Sequence, residues 1–335
     1  MLKQLILFDI VLSIYNQENL IERILYSIFR NTTTPFNLIL VFDGCTDRTK
    51  PRALKYIKRY KAKNLKKLIV TDAPNVYETK ANNIGFKLAK TDYMITLQDD
   101  MVINEYGWER RLTYPLRKFD DVLAVTSRTA QDIVGIEDGE LIYRNQVSRE
   151  SISLPRNIFA VRDVINRGPI AFNMNHLRKL DFLNENYAPS DLDDADLSLR
   201  AWEKYNLKVG AYWINYISPL YWGKGRAEDS TMYKNSHIAR NSSKIIKTYG
   251  EYINRNIKHD ENTLIPEKET DYLLSKHSID NILYIFYRPY RIDKKSIKYT
   301  VIKINNFIKE IIFMILEKLG KNNVREIGIK KALHR

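Results

Sequence analysis

The chain has 335 residues, 44% of them apolar, which is enough for one large domain with an added segment and excludes global disorder. A single cysteine, Cys45, excludes an internal disulfide framework and a thiolate metal cluster, and favours a reducing compartment. The formal net charge of +14 asks for anionic partners such as nucleic acid, anionic lipid or phosphorylated small molecules.

The first hundred residues alternate short β-branched runs with helical spacing. Phe8–Tyr15 reads as a buried strand rather than a signal peptide, because Asp9 interrupts the apolar run and no small-residue cleavage site follows. Leu20–Phe29 carries Leu20, Ile21, Ile24, Leu25 and Ile28 at helical spacing. Phe36–Phe42 is a second strand, Pro51–Tyr60 a second helix, Lys67–Thr71 a third strand, Lys80–Ala89 a third helix and Tyr93–Leu97 a fourth strand. This order predicts an α/β fold: a mostly parallel, Rossmann-like sheet flanked by helices. Val122–Ser127, Ile158–Val161 and Val209–Tyr216 read as further strands, and Asp194–Tyr205 as a helix opened by acids that suit its N-terminal dipole.

Helices dominate from Lys234 onward. From Asn281 to Arg335 there are 13 Lys/Arg against 4 Asp/Glu, so this extension holds most of the excess charge. Apolar positions Ile304, Phe307, Ile308, Ile311, Ile312 and Ile315 with flanking lysines describe an amphipathic helix. Such a helix suits either the protein's own core or an anionic membrane. No run reaches the roughly 18 uncharged apolar residues of a membrane span. The expected layout is a domain over 1–250, with a nucleotide-binding half (1–100) and an acceptor half (101–250), then a basic helical extension (251–335).

Ligands of open parallel sheets bind at the C-terminal strand edge. The residues there are polar: Tyr15 and Asn16, Asp43-Gly44, Asp72 and Asn75, and Gln98-Asp99-Asp100. Neighbouring carboxylates repel unless a cation lies between them, and oxygen ligands select Mg²⁺ or Mn²⁺, which bridge to diphosphates. In isolation Asp99-Asp100 would read as a solvated turn; its place after a fourth strand favours the metal. No glycine-rich phosphate loop is present, so a metal must carry more of the diphosphate charge. A second acidic cluster, Asp191 to Asp196, is followed by Arg200; helix capping explains one or two of its four acids.

Four segments together resemble the inverting glycosyltransferases of family 2, which have the GT-A fold. They are IVLSIYNQENLIERILYSI, LILVFDGCTDRT, KANNIGFKLAKTDYMITLQDDM and DDADLSLR, in the family's order. The resemblance implies that Ser13 and Tyr15 line the nucleoside pocket and that Asp43 accepts a hydrogen bond from the base, which favours uracil. It implies that Asp99 lies near the donor sugar or ribose, that Asp100 holds the metal, and that Asp194 is the general base. Asp193 and Arg200 would shape and brace that base. The chain departs from the family pattern in Gln98 for the first acid of D-x-D, Phe42 before Asp43, and Asp193 for the usual Glu. Asn82 stands where relatives often carry Arg, with Lys80 as the substitute donor-binding cation. His237 is a candidate third metal ligand, against an exposed helical histidine. Trp222, with Lys224 or Arg226, is a candidate lid against a plain surface turn.

The implied protein uses Mn²⁺ or Mg²⁺ to pass a sugar from a nucleotide diphosphate-sugar, a UDP-sugar for preference, to a hydroxyl on a glycan or lipid-linked acceptor in glycan or polysaccharide biosynthesis. It would be cytoplasmic, with membrane association through the basic tail and no nucleic-acid partner. A nucleotidyltransferase would share the acidic site but needs a glycine- and basic-rich loop that SIYNQENL does not supply. A decayed membrane-peripheral scaffold draws support from Gln98 and is opposed by the intact second acidic cluster.

Overall fold

A computed structural model describes residues 6–60, 62–149, 153, 154, 156–217, 231–255 and 259–265. Its first part is β1 (Phe8–Ile14), α1 (Ile21–Asn31), β2 (Phe36–Asp43), α2 (Thr49–Arg59), β3 (Leu65–Ala73), α3 (Tyr77–Leu88) and β4 (Tyr93–Leu97), the alternation expected from the sequence. β1 pairs in parallel with β2 and β4, and β2 with β3. Side chains alternate across a strand, so one strand feeds two layers. Ile10, Leu12 and Ile14 join Ile21, Ile24 and Ile28 of α1, while Val11, Ile39 and Val41 join Ala81 and Phe86 of α3. α3 lies close enough that a Cβ on Gly85 would come within 2.4 Å of Val11 Cγ1.

The second part comprises β5 (Val102–Ile103), α4 (Trp108–Leu112), α5 (Tyr114–Lys118), β6 (Val122–Thr126), β7 (Thr129–Glu137), β8 (Glu140–Ser148), β9 (Ile158–Arg162), β10 (Val164–Ile165) and β11 (Ile170–Asn173). It continues with α6 (Met174–Lys179), α7 (Asp193–Tyr205), β12 (Lys208–Ala211), β13 (Tyr216–Ile217), α8 (Thr231–Asn254) and β14 (Asn262–Leu264). The main sheet has nine strands in the order β14-β9-β12-β6-β11-β4-β1-β2-β3. β11 lies antiparallel between β4 and β6, and β9 antiparallel between β12 and β14; the other strands share one direction.

Three features differ from the expected layout. The run Val209–Tyr216 is not one strand: β12 ends at Ala211, and β13 pairs with β5 in a separate ribbon. β7 and β8 form a long hairpin that the sequence reading passed over. The edge strand β14 lies past residue 250, inside the segment expected as an extension, and Ile265 beside it is fully buried. Residues 266–335, which include the run expected as a basic amphipathic helix, lie outside the described residues. No described helix is long and apolar enough to cross a membrane.

Candidate active site

The polar residues past β1, β2 and β4 gather on one rim. The Tyr15 amide donates to Asp99 Oδ2 at 2.7 Å, tying the end of β1 to the end of β4. Asn16 bonds Thr46 in both directions, at 3.1 and 2.8 Å, which ties the same turn to the loop after β2. Ser13 Oγ is shut off from solvent and has no hydrogen-bond partner among the described residues. Gly44 follows β2 with φ 65°, and a Cβ there would stand 2.6 Å from that of Asn75, so only glycine fits this turn.

Asp43 is buried at the end of β2, and its two carboxylate oxygens accept the amides of Val76 and Tyr77 at 2.6 and 2.8 Å. It therefore caps α3, whose own Val76 N-cap offers no side-chain acceptor. α3 in turn presents Glu78, Thr79 and Asn82. Lys80, on the same helix, is exposed.

Asp99 and Asp100 stand at the end of β4, and Glu78 of α3 lies within electrostatic range of Asp99. Burial first, then the charges of Asp100 and Glu78, push Asp99 up to about 7, against bonds from Tyr15 and Gln17 that favour its charge. Gln98 Nε2 donates to Glu78 Oε1 at 3.1 Å. A cluster of oxygen donors with surplus negative charge fits a hard divalent cation. The described residues form no group of three or more His, Cys, Asp or Glu that could share one ion, so solvent or ligand oxygens would have to complete the shell. His237, on α8, has its pKa lowered by loss of water and by Arg240, and Asp191 opposes that. It thus stands in the company of Asp191 and Arg240. Trp222, Lys224 and Arg226 lie outside the described residues.

The second acidic pair opens α7. Asp193 is fully buried; Thr79 Oγ1 donates to its Oδ2 at 2.8 Å, and the Arg167 guanidinium bonds its Oδ1. Asp194 Oδ2 accepts the Arg167 amide at 2.8 Å, and Oδ1 accepts the Ala195 amide at 2.9 Å. Burial raises the pKa of both acids; Arg167 opposes the rise, and Asp194 stands at about 6. A small pocket beside the pair is mostly apolar, lined by Phe86, Ile165, Ile170, Phe172, Leu183 and Leu197 together with Asn82, Thr96 and Arg167. Arg200 does not reach the pair. It bonds Asp196 Oδ2 at 3.0 Å and the carbonyls of Leu180 and Phe182, so it secures the flank of α7.

Arg167 is the residue that sequence reasoning missed. It sits between β10 and β11 in the run Asn166-Arg167-Gly168-Pro169, where Gly-Pro signals a turn and nothing signals a charge. Its guanidinium also meets Glu78 Oε1 at 3.0 Å, so it joins α3 to α7. Burial works against its charge, but Asp193, Glu78 and Asp194 raise its pKa above the ordinary arginine range.

A nine-stranded, mostly parallel sheet with helices on both faces and an acidic C-terminal rim is the GT-A fold. Residues 9–167 match the family model described as glycosyl transferase family 2, and this segment is a domain of that family. A curated relative, the teichoic acid poly(glycerol phosphate) polymerase of Staphylococcus epidermidis, is 33% identical over 112 residues, covering 33% of this chain and 15% of that protein. The chain thus spans less than a sixth of that relative's length. Among solved structures, GalNAc-T7 with UDP, GalNAc and Mn²⁺ aligns with a TM-score of 0.53 at 13% identity, over 74% of this chain and 50% of that one. S. aureus TarS aligns with a TM-score of 0.41 at 18% identity, over 63% of this chain and 37% of that one.

Proposed function

We propose that the protein is an inverting glycosyltransferase that moves a sugar from a nucleotide diphosphate-sugar, UDP-linked for preference, to a hydroxyl of a growing glycan. The observation that carries this reading is the half-buried Asp194, raised to about 6 and linked through Arg167 and Glu78 to Gln98 beside Asp99 and Asp100. A general base works best with a pKa near the operating pH. Here an apolar pocket wall raises its basicity, and two backbone amides fix its orientation.

In the reaction the acceptor hydroxyl attacks the anomeric carbon opposite the leaving group. The new carbon–oxygen bond forms as the bond to the diphosphate oxygen breaks, and the hydroxyl proton passes to Asp194. Asp100 would hold a Mn²⁺ or Mg²⁺ ion, whose chemistry would be to neutralise charge on the departing diphosphate. Asp99 would meet the ribose or sugar hydroxyls. Ser13 and Tyr15 would border the nucleoside, and Asp43 would keep its second lone pairs for a uracil imide N–H. Lys80 would stand as a candidate cation for the diphosphate, and His237 as a candidate further metal ligand. The curated relative's name, a teichoic acid polymerase, supports an acceptor in polymer assembly rather than on a protein.

The test is a panel of nucleotide-sugars assayed for Mn²⁺-dependent hydrolysis and transfer. Asp194→Asn should abolish transfer while UDP–Mn²⁺ binding by calorimetry stays within threefold of wild type; Asp100→Ala should lose the Mn²⁺-dependent part of that binding. Wild-type turnover by Asp194→Asn would refute the base assignment.

A further inference from the structure

Asp194 cannot be a base at neutral pH on the strength of its own surroundings. It is half-buried, it lines a mostly apolar pocket, and it is adjacent to a fully buried acid, Asp193. The ionisable groups that bear on it are Asp193 on its own helix, Arg167 from the β10–β11 turn, Tyr143 from β8 and, through Arg167, Glu78 from α3. Only Arg167 among them is a cation. Its guanidinium is held on two sides, by Asp193 Oδ1 and by Glu78 Oε1 at 3.0 Å, and its own amide donates to Asp194 Oδ2 at 2.8 Å. Glu78 Oε1 also accepts from Gln98 Nε2 at 3.1 Å, next to the acids at the end of β4.

We propose that Arg167 is the positioning residue of this site: its guanidinium, shared between Asp193 and Glu78, keeps Asp194 ionised and locks the base helix to the donor side of the cleft. The proposal rests on the reading of Asp194 as the base. Its logic is electrostatic. Asp193 and Asp194 are like charges on successive residues, and their repulsion is tolerable only while a cation lies against them. Glu78 competes for that same cation, so the two acids and Glu78 pull the base in opposite directions through one guanidinium. Arginine suits the place because its planar fork meets two carboxylates at once, which a lysine ammonium does with less geometric control.

Three variants of the full chain separate charge from scaffolding: Arg167→Gln, Arg167→Lys and Glu78→Gln. For each, the pH profile of kcat at saturating donor is measured, with UDP–Mn²⁺ binding by calorimetry for the two Arg167 variants. Removing an opposite charge at this range raises a carboxylate pKa by about 1–3 pH units. Arg167→Gln should therefore move the acid limb of the profile up by at least about one unit and cut kcat at pH 7 tenfold or more, with UDP–Mn²⁺ affinity within threefold of wild type. Arg167→Lys should keep the limb near its wild-type position while kcat falls less. Glu78→Gln should move the limb the other way, since Arg167 is then left to the aspartate pair alone. A purely structural role would lower kcat without moving the limb. If the wild-type profile has a limb near pH 6 and Arg167→Gln and Glu78→Gln both leave it in place, the assignment of Arg167 is overturned and the base reading stands. If the wild type has no such limb, or Asp194→Asn retains activity, the base reading itself fails.

Discussion

Asn241 offers a direct test of how the start of α7, with Asp193 and Asp194, is held. Asp191 and Leu192, just before Asp193, both have left-handed backbones, with φ of 70° and 64°. Such a conformation costs a non-glycine residue about 1–2 kcal/mol, so this entry to α7 persists only if something outside it holds it. The buried Asn241 of α8 is placed to do so. Its Nδ2 approaches the carbonyls of Tyr187, Ser190 and Asp191 at 2.9, 3.0 and 2.8 Å. An amide nitrogen has only two protons, so the three contacts amount to two full bonds, one of them shared. At about 0.5–1.5 kcal/mol per net bond, with buried carbonyls left dry on removal, Asn241→Ala should destabilise by about 2–3 kcal/mol. Asn241→Asp should be worse, because it turns a carboxylate toward three carbonyl oxygens. Urea unfolding followed by far-UV circular dichroism measures the first quantity. The functional consequence should fall on kcat rather than on donor binding, since the ends of β1, β2 and β4 are untouched; displacing a base by about 1 Å costs on the order of 100-fold. A variant within 0.5 kcal/mol of wild type by this measure would refute the claim that α8 holds the entry to α7.

Asp163 is buried and raised to about 7 from 3.8, mainly by desolvation, with Ile133 N–H as a donor to Oδ2 at 2.8 Å. A carboxyl whose folded pKa lies above its unfolded one costs stability as pH rises from the lower value to the upper. Asp163→Asn should therefore gain over wild type between about pH 4 and 7 and level off above, by up to about 4 kcal/mol; melting curves at pH 5 and 8 that show no growing gap would contradict this. Gly85→Ala should destabilise by about 1–3 kcal/mol through the clash of its new methyl with Val11 across the α3–β1 contact, read by the shift of the urea midpoint. Thr79→Val removes the hydroxyl that donates to Asp193 Oδ2 and keeps the shape. It should cost about 1–3 kcal/mol at pH 8 and less at pH 5, where Asp193 takes up a proton more readily; equal losses at the two pH values would count against an ionised Asp193.

The parallel half of the fold was legible because period-2 apolar runs and helical spacing are local signals. What failed was information carried from elsewhere in the chain. α3 begins at Tyr77, three residues before the expected Lys80, because its cap is Asp43 on another strand rather than a neighbouring side chain. β7 and β8 did carry a local sign. Asp138-Gly139 connects them with φ of 50° and 78°, the left-handed pair of a tight hairpin turn, and flanking apolar alternation marks both strands. The strand β11, only Ile170–Asn173, is too short to announce itself, yet it joins the two parallel groups of strands.

That short antiparallel strand explains why the acids were easier to find than their partner. β4 and α7 each present carboxylates at an element terminus, where strand ends and helix dipoles gather polar side chains and a sequence pattern can show them. Arg167 owes its place to β11 alone. The strand's pairing with β4 and β6 brings the preceding turn over the start of α7, so one cation meets acids 89 positions earlier and 26 later in the chain. The charge balance of the cleft is therefore set by tertiary pairing, while the acids themselves are set by local sequence. A chain that kept all four family-like segments but lost the β10–β11 turn would still match the family pattern, yet would lack the cation that meets Asp193 and Glu78.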